Sequence, residues 1–155
     1  MLDAVLNFIA ETHFEYTEQF LTALLPMSLT VLLHGQGMGL VVRYLKRFGK
    51  HVRHGAAASL RNIGLIAVVS IMLLTHFIEV VAWAMFYFLT GMLSSYKAAM
   101  YFSVNAYTTL GASNITLPGR WQGLDGFESM TAMLMFGWST AMLAAIVQKI
   151  HTLDT

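Results

Sequence analysis

The stretch YFSVNAYTTLGASN, residues 101–114, decides the fold, because it lies between two long apolar segments and is too short to cross a bilayer. A helix over residues 97–108 would be about 18 Å long, whereas the hydrocarbon core of a membrane is about 30 Å thick. The residues that follow, 109–113, are small and include a glycine. Irregular backbone of this kind is tolerated at membrane depth only inside protein or along a water-filled path. The sequence therefore predicts a re-entrant pore loop.

The composition is that of an integral membrane protein. The 155 residues are 57% apolar and 11% charged, with a mean hydropathy of +0.63, whereas soluble domains average ~45–50% apolar and ~25% charged residues. Three or four spans fit this length, without a separate soluble domain. The absence of cysteine excludes disulfides, thiolate metal sites and cysteine nucleophiles. The first residues lack the features of a signal peptide, so we expect the N-terminus to be retained.

Long helical segments surround the central stretch. Residues 1–19 are acidic and have one apolar side, which favours an interfacial helix. Residues 20–42 form an additional transmembrane helix, in which Pro26 is a candidate kink. Small residues that allow a neighbouring helix to approach closely in this span are Gly35, Gly37 and Gly39. Two further apolar runs, 63–90 and 124–150, are also long enough to cross.

Charge distribution predicts the orientation. Residues 43–62 carry six of the nine Lys and Arg residues, and by the positive-inside rule this basic loop is cytoplasmic. The N-terminus is then outside, the re-entrant loop enters from outside, and the C-terminus is cytoplasmic. Between two spans, the basic run is a topology signal rather than a nucleic-acid site, and no nucleic-acid partner is expected. Its His51 and His54 are candidate pH sensors of the surface type.

Local signals place a short helix over residues 96–108. Ser94 and Ser95 are both suited to cap its beginning by accepting hydrogen bonds from its free N–H groups. Beyond the loop, residues 118–125 are expected to form an external turret, with Trp121 at the interface. Glu128 follows, and we expect it to pair with Lys97 or Arg120 rather than to act as a charge at the pore mouth.

This region resembles the pore of potassium channels. The matching residues are Tyr101-Phe102-Ser103, Thr108-Thr109-Leu110-Gly111, Pro118 and Trp121. The resemblance extends over residues 63–150 and implies an outer helix at 63–90, a pore helix at 96–108, a filter at 108–114 and an inner helix at 124–150. It also implies a homotetramer, because one chain supplies one loop and the ring needs four. The implied setting is a bacterial inner membrane.

The family's filter, Thr-Val-Gly-Tyr-Gly-Asp, aligns with residues 109–114. Its backbone carbonyls replace the hydration shell of the ion. The ion pathway implied here consists of Thr108, Thr109, Leu110, Gly111, Ala112 and Ser113. The C-terminal end of a pore helix adds a partial negative charge of about half a unit. In the inner helix, Gly137 is either a gating hinge or a packing glycine.

The filter also departs from the family pattern. Ser113 replaces the second glycine, Ala112 replaces the tyrosine that braces the filter, and Asn114 replaces the aspartate at the outer mouth. The resemblance places Asn105 where the family bonds that aspartate, so an Asn105–Asn114 amide pair is expected to support the filter. We therefore expect reduced or altered potassium selectivity.

Ionisable residues occur at mid-membrane in the second span. His76, Glu79 and Trp83 share one helix face. Such groups normally face the protein interior, and we expect His76 and Glu79 to form a structural pair that ties this helix to the back of the pore loop. The alternatives are a proton-sensing pair or a metal site shared with His34, although no spacing brings His34 to them. No metal site is therefore predicted.

The sequence thus predicts an all-α membrane protein with three transmembrane helices, a re-entrant pore helix and a filter loop around a homotetrameric pore. The expected function is passive conduction of monovalent cations, K⁺ or Na⁺, without a cofactor and without enzymatic activity. One alternative is a non-conducting subunit, or one that joins a standard subunit in a mixed tetramer. Another is an intramembrane metal-dependent enzyme using His34, His76 and Glu79, against which the filter-like stretch argues. The scattered methionines indicate adaptable packing rather than copper binding.

Overall fold

The structure is a computed structural model that describes residues 1–48, 58–111 and 114–151. Every regular element in these ranges is a helix: α1 Leu2–Phe48, α2 Ala58–Leu89, α3 Tyr96–Tyr107, a 3-10 turn Gly119–Trp121 and α4 Leu124–His151. Three segments are long and apolar enough to cross a membrane, namely Thr12–Arg47, Asn62–Leu89 and Gly119–Ile150. The predicted all-α class is confirmed, and so is the presence of three helices that are long and apolar enough to span a membrane.

The N-terminal third differs from the expectation of an interfacial helix followed by a separate span. Residues 1–19 and 20–42 lie in one continuous helix, α1. No glycine or proline separates the acidic part from the apolar part, so nothing in the backbone ends the helix at their border. Pro26 lies inside α1, and the Thr30 hydroxyl donates to its carbonyl at 2.8 Å.

The basic loop is described only at its two ends. Residues 43–48 complete α1, with Lys46 and Arg47 in its last turn, and α2 begins at Ala58. Residues 49–57, including His51 and His54, lie outside the described residues. The orientation predicted from this loop stays a prediction.

The chain forms two compact units, each of which takes part of α1, α2 and α4. The first consists of Met1–Thr30 and Val80–Ala132. Its core is rich in buried aromatic side chains, among them Trp83, Tyr87 and Tyr107. The rings of Tyr87 and Phe102 meet edge to face at 5.2 Å, so α2 holds one side of the short helix α3.

The second unit consists of Val31–Glu79 and Met133–Thr155, as far as these are described. Its apolar core contains Met38, Val41, Val68, Met72 and Ile146. At Gly37, α1 and α2 approach so closely that a Cβ atom would overlap the side chain of Thr75. This is the close packing expected of the glycines in the first span. A Cβ at Gly39, in contrast, would meet no described atom within 4 Å.

Candidate functional site

The short helix α3 begins and ends almost where the sequence predicts. It covers Tyr96–Tyr107, and Ser95 is its N-cap. The Ser95 hydroxyl accepts a hydrogen bond from the Ala98 N–H at 3.2 Å, which satisfies one of the free donors of the first turn. Of the two serines expected to cap this helix, Ser95 does so.

The C-terminal half of α3 is anchored to α4. The Ser129 hydroxyl donates to the Ala106 carbonyl at 2.7 Å, and the Ser103 side chain is fully buried against α2 and α4. Ser103, Ala106 and Tyr107 are all buried, while Thr108 is exposed. The helix is therefore fixed on one side and presents its C-terminal end on the other.

Glu128 occupies a position that the sequence analysis assigned wrongly. Its contacts are with Tyr87 and Ser103, not with Lys97 or Arg120, and it is fully buried. The Tyr87 hydroxyl donates to Glu128 Oε2 at 2.8 Å, and Ser103 Oγ lies 2.5 Å from Glu128 Oε1. The packing of α2, α3 and α4 around the carboxyl group decides this, because the same packing leaves Lys97 and Arg120 at exposed positions.

The number of hydrogens available for the hydrogen bonds of Ser103 indicates the protonation state of the Glu128 carboxyl group. Ser103 Oγ lies 3.0 Å from the Val80 carbonyl as well as 2.5 Å from Glu128, but a serine has only one hydroxyl hydrogen to donate. Both contacts are hydrogen bonds together only if Ser103 donates to Val80 and Glu128 donates to Ser103. The geometry thus fits a neutral carboxylic acid at Glu128, in keeping with its place in the candidate span Gly119–Ile150.

Beyond Tyr107 the backbone reverses through a Schellman motif. The Leu110 N–H bonds to the Asn105 carbonyl at 3.0 Å, and the Thr109 N–H to the Ala106 carbonyl at 3.0 Å. The motif requires a left-handed residue at its corner, which is usually glycine. Here it is Thr109, with φ of 59°, a conformation that costs about 1–2 kcal/mol for a residue with a side chain. Strain of this kind concentrates at functional sites.

In the loop 108–111 the backbone N–H groups are hydrogen-bonded, whereas the carbonyl oxygens accept no hydrogen bond from the described residues. All four N–H groups bond back to carbonyls of α3, those of Leu110 and Gly111 both to Asn105. Within the part of the chain that the structure describes, the four carbonyl oxygens of this loop accept no hydrogen bond. The loop is exposed, and Leu110 has 69% of its surface accessible. It therefore offers uncommitted oxygens beside the partially negative end of a helix.

For the other residues predicted to form or support the pore, the structure gives a position at most, and their predicted roles stay predictions. Ala112 and Ser113 lie outside the described residues. The Asn105 side-chain amide donates to the Tyr101 carbonyl at 2.7 Å, and its pairing with Asn114 stays a prediction. Gly137 lies inside α4, where a Cβ would meet no described atom within 4 Å, so packing against the described residues does not account for the glycine.

A second polar cluster lies in the other unit. His34 Nδ1 is 2.9 Å from Glu79 Oε1, and His76 Nδ1 is 3.4 Å from Glu79 Oε2. The contact of His76 with Glu79 is the one expected from their spacing. His34 was not expected to reach this pair, but it does, because the packing of α1 against α2 brings together His34 and Glu79, which are 45 positions apart.

Ser139 completes this cluster, and sequence reasoning missed it. Its hydroxyl oxygen is 3.1 Å from His76 Nε2 and 3.4 Å from His34 Nε2. The pair was expected to face the pore loop, but these contacts are with α1 and α4. A serine in an apolar helix carries no sequence signal of such a role, since serines there commonly bond their own backbone.

The cluster is enclosed by protein. His34 and Glu79 are fully buried, and the His76 side chain is 11% exposed. Aromatic rings of α4 pack on the imidazoles, with Trp138 at 5.2 Å from His34 and Phe136 at 4.6 Å from His76 between ring centroids. His76 is also about halfway along the candidate span Asn62–Leu89, where ionisable groups are costly and usually functional.

Comparison of the chain with protein-family models, with curated proteins and with solved structures finds no match.

Proposed function

We propose that this chain is a subunit of a potassium-channel-like cation channel, which conducts monovalent cations passively and discriminates K⁺ from Na⁺ less than a channel with the full filter. The observation that carries the proposal is the loop 108–111, whose N–H groups are all bonded to α3 while its carbonyls accept no hydrogen bond from described residues. An ion that leaves water needs such oxygens in place of its hydration shell.

The anchoring of α3 supports this role. The bonds from Ser129 to Ala106 and from Ser103 to its neighbours hold the helix on the protein side, so its end does not depend on the loop for its position. The helix terminus contributes about half a negative charge, which favours a cation at the exposed oxygens. Fixed dipoles of this kind need no rearrangement when the ion arrives.

The exposure of the loop supports an assembly of several copies. One chain provides four carbonyl groups at 108–111, all on an exposed surface, and a single row of oxygens cannot surround an ion. Four chains around an axis provide rings of oxygens, as in the resembling family. We therefore propose a homotetramer in which Thr108, Thr109, Leu110 and Gly111 face the axis.

The test is ion flux through liposomes that contain the purified protein alone, under K⁺ and under Na⁺ gradients. We expect flux of both ions. The substitution Gly111→Ala should reduce it by at least about tenfold, because Gly111 has φ of 61° and a side chain there costs about 1–2 kcal/mol in each chain.

Gly91→Ala is the matched control. Gly91 has φ of 72° and, like Gly111, open space where a Cβ would lie, but it is in the turn between α2 and α3. Its variant should lose similar stability and keep its flux. Absence of flux in the parent protein, or equal loss of flux in both variants, would refute the assignment of the pathway.

A further inference from the structure

We propose that His34, His76 and Glu79 bind a divalent transition-metal ion, with Zn²⁺ as the representative, and that Ser139 supports the two histidines. This site joins α1, α2 and α4 within the second unit and is independent of the proposed conduction. The ligand atoms of the three residues all lie within 4.8 Å of one another.

The spacing of these atoms suits a small metal ion. A tetrahedral zinc with bonds of about 2.0–2.1 Å to nitrogen and oxygen has its ligand atoms about 3.3 Å apart. His34 Nδ1 lies 2.9 Å from Glu79 Oε1 and His76 Nδ1 lies 3.4 Å from Glu79 Oε2, so each imidazole faces its own oxygen of one carboxylate. Both imidazoles therefore present Nδ1 to the same carboxylate, and the ligand atoms of the three residues are close enough for one ion to draw them together.

The second nitrogen of each imidazole ring, Nε2, faces an oxygen atom, as is usual for metal-binding histidines. Such histidines donate their other N–H to an oxygen, which fixes the ring orientation. Here both Nε2 atoms face Ser139 Oγ, at 3.1 and 3.4 Å, and a hydroxyl oxygen has two lone pairs with which to accept both N–H groups. Two imidazoles thus point Nδ1 at one carboxylate and Nε2 at one hydroxyl.

Without a metal ion, hydrogen bonds alone can account for the same contacts only if the cluster carries one additional proton. Two neutral imidazoles and one hydroxyl supply three hydrogens, whereas four nitrogen–oxygen contacts are described among these four residues. All four are hydrogen bonds only when the cluster holds an additional proton. With a metal ion on the Nδ1 side, the two Nε2–H groups account for both contacts with Ser139, and no additional proton is needed.

The donor set indicates the class of ion. Two imidazole nitrogens and a carboxylate suit Zn²⁺ and its first-row neighbours, whereas Mg²⁺ and Ca²⁺ prefer oxygen alone. Three protein ligands leave a fourth position for a water molecule. Because the ligands come from α1 and α2, and Ser139 from α4, a bound ion stabilises the packing of these three helices against one another.

The test is metal content after chelation and dialysis against Zn²⁺, with protein purified through a tag that contains no histidine. We expect one bound Zn²⁺ per chain in the parent protein and none above background in the double variant His34→Gln/His76→Gln. His13→Gln is the matched control, since His13 lies in the same helix as His34 but is exposed, and it should still bind one ion. Ser139→Ala should bind about 10–100-fold more weakly.

Co²⁺ gives a second readout that does not depend on how the variants fold. A four-coordinate Co²⁺ ion absorbs visible light much more strongly than a six-coordinate one, so the parent protein should show this strong absorption and lose it when Zn²⁺ competes. Absence of Zn²⁺ from the parent protein, equal Zn²⁺ in the double variant, or a weak six-coordinate Co²⁺ spectrum would each overturn the proposal.

Discussion

At the scale of single residues, buried polar side chains hold the helices in place. Glu128 is the clearest case, because one carboxyl group contacts Tyr87 of α2 and Ser103 of α3 while lying on α4. Removing a partner from a buried hydrogen bond costs more than the bond contributes, because the remaining group has lost its water. Each residue of this cluster should therefore be sensitive to truncation and tolerant of a replacement that keeps the hydrogen bonds.

The variants Glu128→Gln and Glu128→Ala should show whether the stability depends on the hydrogen bonds of this side chain or on its charge. A glutamine amide donates to Ser103 and its oxygen accepts from Tyr87, so we expect a loss of about 1 kcal/mol or less in the free energy of unfolding. Alanine leaves the Tyr87 hydroxyl without its acceptor, at about 1–3 kcal/mol, while Ser103 keeps its bond to the Val80 carbonyl. The measurement is unfolding in mixed detergent, with the exposed Glu15→Gln as the control.

The two variants also test the hydrogen count at Glu128. If Gln were as damaging as Ala, an ionised carboxylate would be required, and the arrangement in which Glu128 donates to Ser103 would be wrong.

At the scale of elements, α3 is the part of the chain whose length matters most. Its 12 residues correspond to about 18 Å, which is shorter than the hydrocarbon core of about 30 Å. The first end is satisfied by Ser95 and the last by the Schellman motif around Thr109. A helix this short is marginal by itself, and its caps and its contacts with α2 and α4 therefore determine whether it forms.

The substitution Ser95→Ala should destabilise the first turn of α3. Loss of the side-chain acceptor for the Ala98 N–H is expected to reduce the free energy of unfolding by about 1 kcal/mol. Ser94→Ala is the matched control, because Ser94 is exposed and lies one residue outside the cap, and it should change stability by less than about 0.5 kcal/mol. Hydrogen exchange of the first turn of α3 provides the local measurement, and equal protection in the two variants would contradict the role of Ser95.

At the scale of the whole molecule, the proposed activity depends on assembly. The exposed side chains of the long helices include many large apolar residues, such as Leu73, Leu134 and Phe77, as expected for surfaces that meet lipid or other copies. The proposed pore requires four chains, and the mass of the protein in detergent tests that number. Any other number of chains would exclude the fourfold ring.

Introducing the filter sequence of the resembling family should sharpen ion selectivity in the proposed channel. The triple variant Ala112→Tyr, Ser113→Gly and Asn114→Asp supplies the bracing ring, the flexible backbone and the outer charge that the resemblance associates with K⁺ preference. We expect a larger ratio of K⁺ to Na⁺ permeability, measured as bi-ionic reversal potentials. Asn114→Asp alone is the control, because it restores the charge without the filter shape. Strong K⁺ preference in the parent protein would contradict the expectation of altered selectivity.

The sequence by itself determined the features that follow from local rules. Hydropathy and length identified the three spans, because burial of apolar surface needs only the right number of apolar residues in a row. The short helix and a serine cap at position 94 or 95 were predictable because capping depends on neighbouring residues, and the structure selects Ser95. The border expected at residue 20 does not coincide with the end of a helix, since a change in polarity does not end a helix that no glycine or proline interrupts.

Only the tertiary structure decided which buried polar groups meet. Glu128 contacts a hydroxyl 25 positions away, and Ser139 reaches a histidine 105 positions away. Such contacts depend on the rotation and spacing of packed helices, which local periodicity leaves undetermined. For this reason the addition of His34 and Ser139 to the His76–Glu79 pair, and the metal site proposed there, depended on packing rather than on sequence spacing.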